Sequence, residues 1–221
     1  MRALTEEELD LLFDERLFND WRKAHEDEAG QKDAWLDQYL STFPDLKKSG
    51  RQDIDYRNDF YSSFCRDGFL TTPQSGQRTL LFICREANLG KDKIVDQKLI
   101  PEQGRFWLRE QFRNPEENKK DRYYKFIQEI VKEYHEPFNL AYMNLNKRGG
   151  FGCCNMARVG HYVARYQRFI QAEIELISPD IIICGGTYDT VIKYFPAFRN
   201  KCKNYYHPCY RIEEKVSKAS V

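Results

Sequence analysis

The chain lacks an uninterrupted apolar run of about 18 residues, the length that a membrane-spanning helix needs. Its first eight residues are acidic and contain no apolar signal core, so we expect no secretory leader. Basic and acidic residues are nearly equal in number, 35 against 34. This balance gives no overall basic field of the kind that attracts nucleic acid, although it leaves room for a local patch. We therefore expect no membrane partner.

The sequence also lacks any C-x-x-C pair, and its cysteine count is odd. The seven cysteines lie at positions 65, 84, 153, 154, 184, 202 and 209. This scatter argues against a secreted disulfide framework and favours reduced thiols in the cytoplasm. Cys202, His207 and Cys209, with Cys153 or Cys154, offer zinc ligands, but their spacing matches no standard zinc finger. We expect neither a metal nor another cofactor.

No internal repeat is present, and residues 1–66 have a helical pattern. Thr5-x-x-Glu8 is a capping box, which marks the start of a helix. Further helices are predicted before Pro44 and over residues 53–64. The apolar stripe of the first helix comprises Leu11, Leu12, Phe18 and Trp21.

After a turn at residues 73–76, buried apolar segments alternate with amphipathic helices. Strands are predicted over Thr79–Cys84, Phe138–Met143, Ile181–Cys184 and Lys203–Tyr206. Helices are predicted around residues 106–112, 118–134, 159–177 and 185–194. The alternation predicts a three-layer α/β/α fold around a central, mainly parallel, four-stranded sheet. We divide the chain into a helical N-terminal extension, residues 1–72, packed on an α/β domain, residues 73–221.

In such folds the site forms where loops leave the carboxyl ends of the strands. Glu86 follows the first strand and could act as a general base on water, although a helix cap or an ion pair with Arg85 is equally open. Asn144 follows the second strand, and its amide is suited to the edge of a base. His207 follows the last strand and could polarise a leaving group. These three side chains are the candidate site.

Two basic segments could add contacts to phosphate. Lys147 and Arg148 follow Asn144, and the alternative is a surface loop with incidental charge. Residues 105–113 interleave arginine with aromatic side chains, which can stack a base and bind phosphate. The alternative there is an ordinary amphipathic helix with solvated arginines.

Over about residues 77–213, the order and spacing of these motifs resemble the uracil-DNA glycosylase superfamily. Residues 84–88 stand in the place of the family's Gly-x-(Asp or Asn)-Pro loop, and Asn144 matches the Asn that closes the next strand. Residues 178–186 are similar to its Pro-x-(Ile or Val)-rich strand with a following glycine. His207-Pro208-Cys209 matches two of three positions of its His-Pro-Ser loop.

The resemblance implies a role for each candidate residue. Glu86 would activate water, His207 would stabilise the departing base, and Asn144 would read that base. Asn88 stands where uracil-specific members carry a Tyr that excludes a substituent at pyrimidine C5, so a larger base is expected to fit. A stacking aromatic is expected at Phe106 or Trp107. The residues expected to bind the DNA backbone are Lys147, Arg148, Tyr210 and Arg211, the last as a wedge in the gap left by the base.

The function expected from this resemblance is a DNA glycosylase that breaks the N-glycosidic bond of a flipped pyrimidine and leaves an abasic site. The base is uracil or, as we favour, a 5-modified pyrimidine such as one from phage DNA, in duplex or single-stranded DNA. The absence of C-x-x-C predicts no iron–sulfur cluster. A monomer is expected. The alternatives are a non-catalytic nucleic-acid-binding module on the same fold and a hydrolase of small nucleotides.

Overall fold

A computed structural model describes residues 5–29, 64–88, 107–118, 121–150 and 154–208. Its helices are α1 (Glu6–Phe13), α2 (Asn19–Ala29), α3 (Trp107–Arg113), α4 (Pro115–Asn118), α5 (Arg122–Tyr134), α6 (Met156–Ile177) and α7 (Tyr188–Tyr194). A π-helical turn (Asp14–Phe18) joins α1 to α2, and a 3-10 helix (Pro196–Lys201) follows α7. The strands are β1 (Gly68–Phe69), β2 (Arg78–Asn88), β3 (Phe138–Gly150), β4 (Ile181–Gly185) and β5 (Cys202–Tyr205).

The sheet has the order β1-β3-β2-β4-β5. Strands β3, β2, β4 and β5 are parallel, and β1 is antiparallel to β3. This confirms the predicted α/β class and the mainly parallel sheet. The predicted strand number is wrong, because the sheet has five strands instead of four. Two residues are too few to give β1 a recognisable apolar pattern, and the predicted boundary after residue 72 separates this strand from its sheet.

Helices cover the sheet on both faces. Successive side chains of β2 point in opposite directions, so they pack alternately into the two cores. Leu80 and Phe82 pack toward α3 and α5, whereas Leu81 and Ile83 pack toward the N-terminal helices and α6. All four side chains are fully buried. A strand buried on both faces explains why its sequence is continuously apolar instead of alternating.

The N-terminal helices are an integral part of one of these two cores. The predicted capping box is confirmed, since Thr5 Oγ1 accepts from the Glu8 amide at 3.2 Å and Glu8 accepts from the Thr5 amide at 2.8 Å. Trp21 is fully buried and stacks on Phe169 of α6 at 5.5 Å. The predicted stripe is wrong at Leu11, which is 58% exposed. The buried side of this segment is instead formed by Leu9, Phe13, Leu17, Phe18 and Trp21.

Strands β2 and β3 extend further than their apolar segments predict. Their pairing continues from Cys84 opposite Asn144 to Glu86 opposite Asn146, and on to Asn88 opposite Gly150. Backbone hydrogen bonds hold this extension whatever the side chains are, so polarity is a poor marker of where these strands end. The predicted strand ends at Cys84 and Met143 are therefore wrong, because the strands run on to Asn88 and Gly150.

The ends of α5 and α6 are fixed by side-chain caps that accept hydrogen bonds from the first amides of the helix. Asp121 Oδ1 accepts from the amides of Tyr123 and Tyr124 at 2.8 and 3.0 Å. Asn155 Oδ1 accepts from the amide of Ala157 at 2.9 Å. These caps place the start of both helices near the carboxyl edge of the sheet, where the candidate site lies.

Among the described helices, none combines the length and apolar character that crossing a membrane requires.

Candidate active site

Glu86 lies near the carboxyl end of β2 and is 7% exposed. Its Oε2 accepts a hydrogen bond from Asn146 Nδ2 at 2.9 Å across the β2–β3 pair. Burial raises the pKa of the Glu86 carboxyl, while the bond from Asn146 and the charge of Arg158 act against that rise. The result is a fixed carboxylate that binds a proton more readily than an exposed glutamate does, which suits a general base.

Gly186 is where Arg85 and His207 meet. Its φ of +68° belongs to the left-handed region, and a Cβ there would lie 2.7 Å from Arg85 Nη2 and 3.1 Å from His207 Cβ. Arg85 Nε donates to the Gly186 carbonyl at 3.3 Å. Only glycine permits both this conformation and this close approach. Because Arg85 directly precedes Glu86, the two predicted catalytic side chains lie at the same edge of the sheet.

His207 is half-buried and packs edge-on against the Tyr123 ring of α5, with ring centroids 5.9 Å apart. Burial, followed by the nearby positive charge of Arg85, lowers its pKa to about 4. The imidazole is therefore neutral at pH 7. A neutral imidazole can donate one ring N–H to an oxygen that gains negative charge, without itself losing a proton.

A groove of about 300 Å³ opens beside His207, between α5 and the end of β5. Phe126, Tyr205 and Tyr206 contribute aromatic surface to its lining. Arg122 and Lys125 stand on the wall formed by the first turns of α5. Glu129 and Glu133 of α5 line it as well, so the groove combines aromatic faces with two basic and two acidic side chains next to a neutral histidine.

The structure corrects the base-reading role predicted for Asn144. This side chain is 3% exposed and lies inside β3, six residues before the strand ends. Its Oδ1 accepts from the Tyr142 hydroxyl at 3.1 Å, and its backbone amide donates to Asp67 at 2.6 Å. Its carbonyl oxygen is thus bonded within the protein, so we assign Asn144 a structural role.

The DNA-binding role predicted for Lys147 is wrong. Its side chain is fully buried, and its ammonium group bonds to Asp67 at 2.5 Å and to Glu173 at 2.9 Å. Burial alone would lower the pKa of Lys147, but the two carboxylates outweigh it and the pKa is raised. The lysine is therefore a charged group shared by two buried carboxyl groups, and burial raises the pKa of both Asp67 and Glu173.

The same correction applies to Arg148. Its side chain is fully buried, pairs with Glu28 of α2 and bonds to the Tyr166 hydroxyl of α6 at 2.8 Å. The guanidinium also lies over the Tyr162 ring, 5.5 Å from its centroid. Both basic side chains contact residues of α6, Glu173 and Tyr166, and occupy core positions where the sequence predicts a loop.

Several predicted site residues lie outside what the structure describes. Asn88 is described through its backbone, opposite Gly150 in the sheet, but not through its side chain. Trp107 begins α3, and its side chain is likewise outside the description. The predictions for Phe106, Tyr210 and Arg211, and for the possible metal ligands Cys153 and Cys209, fall on residues that are not described. In the ranges that are described, no group of three or more His, Cys, Asp or Glu side chains is placed to hold a metal ion.

Two side chains that contact Glu86, Asn146 and Cys154, are not among the site residues predicted from the sequence. Asn146 follows Asn144 by two residues, which places both side chains on the same face of a strand, so the spacing could have identified it. Cys154 lies just before α6, and its thiol is hydrogen-bonded to Glu86. No sequence signal identifies Cys154, because its contact depends on how α6 packs against the sheet.

Comparison with known proteins gives no relative, since no family model, no curated protein and no solved structure matches this chain.

Proposed function

We propose that the protein is a DNA glycosylase that hydrolyses the N-glycosidic bond of a flipped pyrimidine and leaves an abasic site. The observation that carries this proposal is that a buried, hydrogen-bonded glutamate and a neutral histidine lie at the same edge of the sheet. Glu86 has a raised pKa, and His207 has a lowered one. Two titratable groups shifted in opposite directions are typical of an acid–base site.

The chemistry of the bond assigns each group its role. Breaking an N-glycosidic bond leaves positive charge on the sugar and negative charge on the departing base. The Glu86 carboxylate would stabilise the sugar cation and orient the attacking water. His207 would donate its ring N–H to the carbonyl oxygen of the base, where the negative charge develops.

The groove beside His207 supports a base held outside the helix. A base in a DNA stack is out of reach of both side chains, so it must first be extruded into a pocket. Phe126 and Tyr206 offer ring surface for such a base, and Arg122, which lines the same groove, would bind a neighbouring phosphate. The favoured substrate remains a 5-modified pyrimidine, with uracil as the other candidate.

The proposal is tested by incubating the protein with duplexes and single strands that each carry one candidate base. Alkali-labile abasic sites are expected with a modified or deaminated pyrimidine and not with cytosine or thymine. Glu86→Gln should abolish the product while retaining binding, because it keeps the shape of the side chain and loses its charge. If no candidate base is released, the enzyme proposal fails; retained binding without product in the unaltered protein would instead favour the non-catalytic binding module.

A second candidate is a hydrolase that acts on free nucleosides or nucleotides. The burial of Lys147 and Arg148 favours it, because two cations expected to bind DNA phosphate are unavailable. Binding to DNA releases counterions, so its affinity falls steeply with salt. Faster turnover of free nucleosides than of oligonucleotides, with little effect of salt, would establish this alternative over the first.

A further inference from the structure

The side chains that surround Glu86 differ from the buried ions around Lys147 and from the thiols near β4 and β5. Those two groups contact core side chains, whereas the side chains around Glu86 contact the proposed catalytic carboxylate.

Asn146 is held in one orientation by the backbone. Its Oδ1 accepts from the Arg148 amide at 3.0 Å, so its Nδ2 is the end that faces Glu86, at 2.9 Å. Asn146 is fully buried, and no rotation of its amide is possible without losing both bonds. Since Asn146 and Glu86 are also directly paired across β2 and β3, the position of the carboxylate is set by the sheet itself.

Cys154 contacts Glu86 from a different element, the segment that leads into α6. A thiol has one hydrogen to donate. Met156 also lies within 4.0 Å of the sulfur, but its thioether is a weaker acceptor than a carboxylate. The thiol is therefore expected to donate to Glu86.

Other charged and titratable groups also face Glu86. Arg158 of α6 and Arg85 of β2 act on it with positive charge. Cys65, which precedes β1, is a buried thiol whose pKa rises to about 12, first through burial and also through the negative charges of Asp67 and Glu86. Cys65 is therefore neutral at pH 7, and the charges that act on Glu86 at neutral pH are the two arginines.

We propose that Asn146 and Cys154 are positioning residues that hold the Glu86 carboxylate in one orientation and favour its charged form. This inference rests on the proposed function, in which a charged Glu86 acts on water and on the sugar cation. Asn146 donates a hydrogen bond to the carboxylate at 2.9 Å, and the Cys154 thiol beside it also lowers the pKa of Glu86. An interaction with the charged form lowers the energy of that form. Loss of either donor should make Glu86 bind a proton more tightly.

The variants that test this are Asn146→Leu and Cys154→Ala, each of which removes one donor. Cys154→Ser restores a hydroxyl donor and should rescue the effect. Cys202→Ala is the matched control, because Cys202 donates to the Phe198 carbonyl at 3.3 Å and has no contact with Glu86 in the described structure. Cys154 is only partly buried, so its variants should fold even if Asn146→Leu does not.

The first readout is independent of activity. The side-chain carboxyl of Glu86 is titrated by carbon-13 NMR and assigned by the signal that Glu86→Gln removes. Its titration midpoint should move to higher pH in Asn146→Leu and Cys154→Ala, return in Cys154→Ser, and stay in place in Cys202→Ala. An unchanged midpoint in Cys154→Ala, or in both donor variants, would overturn the inference.

The coupling is also reciprocal. The pKa of Cys154 is raised to about 12, first by burial and next by the negative charge of Glu86. Glu86→Gln should therefore speed alkylation of Cys154 at pH 9, measured by mass spectrometry of its peptide. An alkylation rate that does not change would contradict a direct contact between the two groups.

The second readout is the rate of base release against pH. On the acidic side, a shift of one pH unit corresponds to about a tenfold lower rate at a fixed pH. Cys154→Ala should lose more rate on the acidic side of the profile than at high pH, where the carboxylate is charged in both proteins and only its orientation differs. If NMR shows the shift and no substrate is cleaved, the positioning inference holds and the proposed function fails.

Discussion

At the scale of single residues, the charge states of Glu86 and His207 control what this site can do. Glu86 must be ionised to act as a base, and burial raises its pKa above the usual 4.5. In the proposed reaction His207 would act as a neutral donor, and its pKa is lowered to about 4. Glu86 is charged and His207 is neutral at the same time only above the pKa of Glu86.

The resulting pH dependence has a definite sign. As the pH falls, Glu86 takes up a proton first and the rate of base release decreases, with a midpoint above 4.5. His207 does not change charge until about pH 4. The measurement is the single-turnover rate from pH 4 to 9, with far-UV circular dichroism to show that the protein stays folded. A rate that rises on acidification would contradict the assignment of Glu86 as the base.

A second prediction at this scale concerns Lys147. Lys147→Met leaves the carboxylates of Asp67 and Glu173 buried without their cation, which costs about 3–5 kcal/mol of unfolding free energy. Lys23 is an exposed lysine of α2 and serves as the control. Lys23→Met should change the free energy of unfolding by less than about 0.5 kcal/mol. Urea denaturation measures both, and equal effects would show that Lys147 is not a core ion pair.

Some residues of the site are predictable from the sequence, and others are not. The position of Glu86 next to a buried strand, and that of His207 after another, were predictable from apolar runs alone. The burial of Lys147 and Arg148 was not, because their partners Asp67, Glu173 and Glu28 are distant in the sequence. A buried ion pair leaves no local pattern, so the sequence predicts that these charged residues bind the DNA backbone.

At the level of secondary-structure elements, the turn after β4 shapes the candidate site, because Arg85 and His207 both lie against Gly186. Gly186→Ala forces a side chain into the left-handed region, which costs about 1–2 kcal/mol. The added Cβ also displaces the Arg85 guanidinium, which lies 2.7 Å away. We expect lower stability and a slower rate of base release, measured by thermal unfolding and the abasic-site assay.

Gly160 provides the matched control for that change. It lies inside α6, and a Cβ there would meet nothing within 4 Å. Gly160→Ala should raise the unfolding free energy by about 0.5–1 kcal/mol, because alanine favours the helix. Similar effects of the two substitutions would show that the turn imposes no special conformation.

Strand length was the part of each element that the sequence did not predict. The apolar segments of β2 and β3 were placed within a few residues of their true starts. Their polar ends, from Glu86 to Asn88 and from Asn144 to Gly150, were assigned to loops because periodicity records burial and not backbone pairing. The two-residue β1 was not predicted from the sequence, because a strand so short has no periodicity.

At the scale of the whole molecule, the N-terminal helices and the sheet share one core. Trp21 of α2 contacts Phe64, Tyr162 and Phe169. Trp21→Ala should lower the unfolding free energy by about 3–5 kcal/mol. Leu11→Ala, at a position 58% exposed, should change it by less than about 0.5 kcal/mol.

Urea denaturation followed by far-UV circular dichroism distinguishes these outcomes. We expect one cooperative transition in the unaltered protein, with its midpoint lowered in Trp21→Ala. Two separate transitions, with only the smaller one affected by Trp21→Ala, would show that the N-terminal helices form a separate unit.

The proposed role of Glu86 as the base of a glycosylase is tested by comparing the unaltered protein with Glu86→Gln. The unaltered protein and Glu86→Gln are incubated in single-turnover conditions with a duplex that carries the most readily released pyrimidine. Binding is followed in the same samples by fluorescence anisotropy. The account predicts equal binding and a loss of abasic product of at least about a hundredfold, the lower bound typical of a general base. Equal product from both proteins would contradict it.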